Sequence, residues 1–296
     1  MKILVISGFL GAGKTTFISS LSKKCKKDFV VMENEYGDVG IDGSILEEDR
    51  LKVWELTEGC ICCSLKSDFA SSILTIANTL SPEYLVVEPT GVGLLSSVMH
   101  NISKIEYEKI QLLEAISIVD VHCIEDYINK FSDIYIDQIK NAHLIVLSKI
   151  EDATKEKINS VFHILKEINP KAKILDEPYQ KQNNEWWENL FDNLYRKNNF
   201  ESLKEECVPK LENISFNDIH FDSVNDFLEF LVAILKGYFG EIYRVKGYAL
   251  IAGKWTKFDV VDRRYTVSLC QKHQGSKAVF IGKKIDKKKL TKALNQ

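Results

Sequence analysis

The chain has 296 residues, 45% hydrophobic and 27% charged, a globular composition with enough material for one or two domains with buried cores. A formal net charge of -3 and a pI near 6.1 give no basic footprint for nucleic acid or for an anionic membrane, and the lysines between 23 and 27 and between 287 and 289 read as solvated helix ends. No apolar run approaches the roughly 18 residues that a membrane span requires.

Met1-Lys2-Ile3-Leu4-Val5-Ile6 is apolar enough to pass for a weak signal peptide. It runs directly into a Gly-rich loop and a lysine, which favours a buried first strand and a cytoplasmic location. In a reducing compartment the seven cysteines are not a disulfide framework. In chain order, apolar runs predict strands over Lys2–Ser7, Phe29–Glu33, Lys52–Leu56, Tyr84–Glu88, Ala115–Val119 and His143–Leu147. Helices are expected over Lys14–Lys24, Lys66–Leu80, Thr154–Ile168 and Asn184–Arg196, with others between the strands. Strands with few polar positions, alternating with helices, predict an α/β fold: a doubly wound, mostly parallel sheet over residues 1–200. Asn198–Glu212 is charged, aperiodic and holds Pro209, so it reads as a linker. A smaller α+β unit over 213–296 follows, with strands expected over Asn213–Phe221, Tyr243–Ile251, Val260–Leu269 and Ala278–Ile281. Its helices are expected over Val224–Leu235 and Lys287–Leu294.

Gly8-Phe9-Leu10-Gly11-Ala12-Gly13-Lys14-Thr15 fits G-x-x-x-x-G-K-[ST] between a predicted strand and a predicted helix, the context that a phosphate-binding loop needs. Gly8, Gly11, Ala12 and Gly13 offer backbone N–H groups to an anion, and the helix N-terminus adds its dipole. Lys14 is expected on the β- and γ-phosphates, Thr15 on Mg²⁺ and Thr16 near the α-phosphate. A magnesium-dependent hydrolase needs an acid at the end of a neighbouring strand, and Glu88 is placed there. Two residues on, past Pro89 and Thr90, Gly91 can turn its N–H to the γ-phosphate.

After the strand ending at Leu147 comes Ser148-Lys149-Ile150-Glu151. A guanine reader usually shows Asn-Lys-x-Asp there, its acid accepting from guanine N1 and N2 and its lysine stem lying along the ring. Glu151 keeps the carboxylate, Lys149 the stem, and Ser148 a hydroxyl in place of the amide, so GTP is favoured over ATP. Cys60, Cys62 and Cys63 crowd into four positions, and on a turn such thiolates can converge on Zn²⁺ or a similar ion. Cys60 and Cys63 also form a C-x-x-C, which leaves a redox pair open, as does a buried structural role for the three. Glu33 to Asp42 is an acidic, Gly-containing loop suited to a switch segment.

Together the segments GFLGAGKTT, ENEYGDVGID, GCICC and VVEPTG, with the strand before SKIE, resemble the CobW/HypB/UreG family of P-loop GTPases, the CobW-like branch above all. Glu88 in place of Asp is part of the resemblance. Tyr243-Arg244-Val245-Lys246-Gly247 and Val279-Phe280-Ile281-Gly282 are similar to the small CobW C-terminal domain. The resemblance implies a GTPase that inserts a metal, zinc or cobalt being favoured, into a client metalloprotein or a cofactor-assembly pathway. It implies metal contacts from the three cysteines, Glu33, Asp38 and His122. A second copy of the chain is a further candidate partner. Ser148 and Glu151 depart from the family's base-reading pattern, and the His-rich tract of many relatives is absent. The alternative is a nucleotide-switched binding or maturation factor, for a metalloenzyme or corrinoid protein, that does not itself carry metal.

Overall fold

A computed structural model describes residues 1–34, 52–56, 66–196, 211–261, 264–270 and 275–294, which fall into two compact units. The first is built on a parallel sheet of strands β1 (Lys2–Gly8), β2 (Phe29–Asn34), β3 (Lys52–Leu56), β4 (Tyr84–Glu88), β5 (Gln111–Leu112), β6 (Ile116–Asp120), β7 (Leu144–Ser148) and β8 (Lys173–Leu175). Their order is β3-β2-β4-β1-β6-β7-β8, with the short β5 also pairing with β1. The helices are α1 (Lys14–Lys24), α2 (Lys66–Thr79), α3 (Leu95–Ser103), α4 (Ile124–Lys140), α5 (Lys155–Ile168) and α6 (Asn184–Asn189).

Both faces of this sheet are dry. Along β1, Leu4 and Ile6 point into a cluster with Phe17, Leu21 and Trp187 of α1 and α6, while the alternate residues Ile3 and Val5 are equally inaccessible on the other face. The helices divide accordingly: α1 packs on α6, whereas α2, α3, α4 and α5 touch one another in series. This is the doubly wound, mostly parallel α/β architecture that the near-continuous apolar strands predict. Its connections put the ends of β1, β4, β6 and β7 side by side, where the candidate site lies.

Gly8 closes β1 at φ 146°, and a Cβ there would sit 2.5 Å from the Ile118 carbonyl oxygen of β6. Both the dihedral and the clash are backbone matters that no rotamer relieves. Gly8→Ala is therefore expected to lower unfolding stability by about 2–4 kcal/mol, read as a shift of the urea midpoint at unchanged slope.

The second unit is α+β, as expected. Strands β9 (Glu212–Asn217), β10 (His220–Phe221), β11 (Glu241–Ile251), β12 (Lys254–Val261), β13 (Arg264–Leu269) and β14 (Lys277–Lys283) form a sheet of order β13-β12-β11-β14-β9, with β10 parallel to β11 and the other pairs antiparallel. Helices α7 (Val224–Leu235) and α8 (Lys287–Leu294) contribute to its core, in which Phe221, Phe227, Phe230, Phe239, Phe258 and Phe280 cluster. Ser223 caps α7 by accepting from the Asp226 N–H at 3.1 Å.

Several expected elements differ, four of them in ways that bear on the fold or the site. The predicted helix over Asn184–Arg196 stops at Asn189, because the chain turns back to pair Leu113 with Leu194 and to bond the Tyr195 N–H to the Leu112 carbonyl at 2.8 Å. The single strand expected over Asn213–Phe221 is β9 and β10, broken at Asp218, which takes φ 58° as Asp readily can. The strand expected over Val260–Leu269 divides between β12 and β13, antiparallel partners in which Val261 faces Arg264. The strand expected over His143–Leu147 begins one residue later and takes in Ser148, whose backbone is in register with Asp120. The linker expected over Asn198–Glu212 lies almost wholly outside the described residues.

Candidate functional site

The loop from Gly8 to Thr15 turns sharply through Gly11 at φ 67° and Gly13 at φ 96° before α1 begins at Lys14. Gly13 occupies the N-cap position of α1. It has no side chain to cap the helix, and the first turn carries no acid. A helix N-terminus leaves N–H groups without intrahelical partners, and here the sequence supplies neither a capping oxygen nor a competing carboxylate. An anion is the complementary ligand.

Around this end the predicted side chains converge. Lys14 is 6% exposed, with Nζ 3.5 Å from the Phe9 carbonyl and 3.8 Å from Glu88 Oε1. Thr15 Oγ1 lies 3.3 Å from each carboxylate oxygen of Glu88. Glu88 reaches this point because β4 pairs directly with β1, Val87 in register with Val5, so that Glu88 ends its strand just before the loop begins. A hydroxyl and a carboxylate, both hard oxygen donors, suit Mg²⁺ and not a soft metal. Gly91 lies against the loop so tightly that a Cβ there would fall 2.7 Å from the Leu10 backbone nitrogen. The Thr16 side chain is exposed on α1.

The helix α4 supplies residues that the sequence reading did not single out. Buried Gln138 donates through Nε2 to the carbonyls of Gly91 at 3.1 Å and Gly93 at 2.9 Å. Its neighbour Asp137 accepts from the Ser96 N–H at 3.0 Å, at the start of α3, and burial pushes its carboxyl above the ordinary range against the lowering pull of that bond. A paired Asp-Gln on the apolar side of an amphipathic helix was the available signal. Phe9 packs on Tyr127 and Phe131 of the same helix, at centroid distances of 4.6 and 4.8 Å.

The base-reading end differs in detail from expectation. Ser148 is 3% exposed and its hydroxyl donates to the Ala12 carbonyl at 2.6 Å, so it ties β7 to the phosphate loop. Lys149 turns through φ 56° and places Nζ 2.7 Å from Asp120 Oδ2. Asp120, buried at the end of β6, also accepts from the His122 N–H at 2.9 Å. It was legible by the same strand-end rule that found Glu88. Glu151 is exposed in the short 3-10 turn Ile150–Asp152.

Of the metal candidates, the described residues include only Glu33 and His122. His122 Nε2 lies 3.1 Å from the Lys149 carbonyl, at the base-reading end. Glu33 is buried at the end of β2, in register with Glu88 of β4 and Glu55 of β3. Three interstrand steps separate β2 from β6, about 14 Å between backbones at roughly 4.8 Å each. Cys60, Cys62, Cys63 and Asp38 lie outside the described residues.

Comparison with known proteins gives these features a family. Residues 2–176 match the nucleotide-binding domain of CobW/HypB/UreG, and residues 216–296 match the C-terminal domain of the cobalamin synthesis protein cobW. The chain belongs to the CobW/HypB/UreG family. Among curated relatives, the zinc chaperone YeiR of Escherichia coli is 32% identical over 155 residues, covering 51% of this chain and 47% of the relative. The zinc-regulated GTPase metalloprotein activator 1 of Dictyostelium discoideum is 23% identical over 216 residues, covering 59% and 45%. The chain thus spans about half the length of the curated relatives it matches. Among solved structures, the Zn(II)-bound YjiA GTPase of E. coli aligns at a TM-score of 0.47 and 18% identity, over 100% of this chain and 98% of that one. No helix of the described residues is long and apolar enough to cross a membrane.

Proposed function

We propose that the chain is a cytoplasmic, GTP-hydrolysing metallochaperone. It takes GTP at Gly8 to Thr16, carries zinc or cobalt on Cys60, Cys62 and Cys63 with Glu33 and Asp38, and passes the ion to a client metalloprotein or cofactor-assembly protein. The observation that carries this reading is the convergence of Thr15 Oγ1 and Lys14 Nζ on Glu88, at 3.3 and 3.8 Å, beneath an uncapped helix N-terminus. Zinc is favoured because relatives such as YeiR are named zinc chaperones.

In this reading Thr15 and Glu88 hold Mg²⁺, which supplies positive charge to the phosphate oxygens. Lys14 reaches the β- and γ-phosphates and stabilises charge as it develops on the leaving group. The N–H of Gly91 meets the γ-phosphate. Because Glu88 and Lys14 are both buried, their charges act in a low dielectric, where each is worth more than in water. His122, whose Nε2 lies against the Lys149 carbonyl, is a further candidate ligand for the carried ion.

The base assignment is tested by competition between GTP and ATP. GTP is expected to bind at least about tenfold tighter, the worth of one charge-assisted hydrogen bond from guanine to Glu151. Restoring Asn at Ser148 and Asp at Glu151 is expected to widen the gap. Equal affinities in the parent protein would overturn the guanine assignment.

A further inference from the structure

Among the described residues, helix α4 reaches three of the segments that frame the nucleotide site. It starts just beyond Asp120 and His122, it packs on the phosphate loop through Phe9, and its last turns hold the loop that follows β4. It is not one straight helix: Phe131 takes φ -135° and ψ 34°, so the turns on either side of it are separated by a break in the helical backbone.

At the far end, Gln138 is 1% exposed and its Nε2 donates to two carbonyls, Gly91 at 3.1 Å and Gly93 at 2.9 Å. Its Oε1 has no hydrogen-bond partner among the described residues. A buried amide with an unspent acceptor is an unfavourable arrangement unless its donor end does something specific, and here that end grips the segment carrying Gly91. The Gly93 N–H closes the same segment on the Thr90 carbonyl at 2.9 Å. Asp137 anchors its far side through the Ser96 N–H.

We infer that Gln138 is a positioning residue for the γ-phosphate: by holding the carbonyls of Gly91 and Gly93 it fixes the turn in which the Gly93 N–H grips the Thr90 carbonyl, and the Thr90–Gly91 peptide plane so held carries the Gly91 N–H. Glycine samples backbone conformations that other residues do not, so a loop built on Gly91 and Gly93 does not orient itself. Contact with Leu10 limits how far Gly91 can move but leaves its peptide planes to rotate. Without the anchor, only a fraction of the protein presents the N–H correctly, and the apparent affinity for a triphosphate falls by that fraction. A diphosphate, held by the phosphate loop, does not draw on this contact. The inference rests on the reading that Gly8 to Thr16 binds a nucleoside triphosphate.

The test is Gln138→Leu in the full chain, with the dissociation constants of GDP and of a non-hydrolysable GTP analogue measured in Mg²⁺ beside the parent protein. The analogue is expected to weaken about tenfold, with GDP within about twofold, as a smaller competent fraction requires. If Gln138→Leu fails to fold, Gln138→Asn keeps the amide but falls one methylene short, and it is expected to show the same split. A parallel loss for both nucleotides, or no loss for either, would overturn the positioning role while parent binding of both upholds the nucleotide site. A parent protein that binds neither nucleotide would overturn that site, and this inference with it.

Discussion

Lys14→Ala is expected to abolish tight GTP binding and to reduce hydrolysis by about 10³-fold, the scale seen when a pre-positioned group that stabilises transition-state charge is removed. Lys14 is the only cation in the phosphate-loop segment 8–16, so no neighbour in that segment can take over. Its position is fixed from two sides, by the Phe9 carbonyl and by Glu88, and at 6% exposure water does not replace it. Loss of the ammonium also leaves the buried Glu88 carboxylate short of a nearby positive charge, a cost to the fold that is separate from the cost to binding. Measuring thermal unfolding of the nucleotide-free variant separates the two: a melting point near that of the parent with hydrolysis gone is the expected pattern. Thr15→Ala is the companion. It retains Lys14 and the backbone N–H groups, so it is expected to keep nucleotide but to need far more Mg²⁺ for turnover. Phosphate release at saturating GTP, titrated with Mg²⁺, reads both. A Lys14→Ala variant that hydrolyses GTP at the parent rate would remove the site assignment altogether.

The fold was legible in the first unit because its signals are strong and local. Strands buried on both faces read as unbroken apolar runs, and the glycines of the phosphate loop mark one strand-to-helix junction without ambiguity. The misses have physical causes too. Asn184–Arg196 looks helical, yet Leu194 and Tyr195 gain more from pairing with Leu113 and Leu112, a long-range choice that no local window contains. The division into β12 and β13 was hidden because valine and threonine occur on both sides of it. In the site, residues that act through the motif (Lys14, Thr15 and Glu88) could be named in advance. Those that act on the backbone of another loop were only half legible: the pair Asp137-Gln138 on an apolar helix face marks a buried polar role, but not that Gln138 touches Gly91 from 47 residues away. Ser148 was read as facing the base, but its hydroxyl turns inward to Ala12, because a side chain this short at the end of β7 meets the phosphate loop first.

The same geometry gives the expected coupling between nucleotide and metal. Glu33 and Glu88 end adjacent strands in register, one interstrand step apart, and residues in register on parallel strands project to the same face. In the proposed mechanism Glu88 serves Mg²⁺ and Glu33 serves the carried ion, so the two sites share one edge of the sheet. GTP with Mg²⁺ brings one more negative charge to this edge than GDP with Mg²⁺, and at one interstrand step that charge favours a cation at Glu33. Filling the nucleotide site with GTP and Mg²⁺ is therefore expected to raise affinity for the carried metal. By linkage the metal raises affinity for GTP by the same factor, typically about 5–150-fold in coupled systems. Hydrolysis then lowers the affinity and frees the ion for a client. Thiolate ligation adds that binding releases protons and weakens as pH falls. The measurement is a Zn²⁺ or Co²⁺ titration followed by a thiolate-to-metal absorption band, most directly with Co²⁺, repeated with GDP and with a non-hydrolysable GTP analogue. Replacing Cys62 and Cys63 together by Ala is expected to remove the band and leave GDP binding unchanged. Glu33→Gln is expected to keep the band but to shrink the difference between the two nucleotide states, since the thiolates remain and the carboxylate next to Glu88 does not. Equal metal affinities with GDP and with the analogue would leave a metal-binding GTPase whose hydrolysis does not time release.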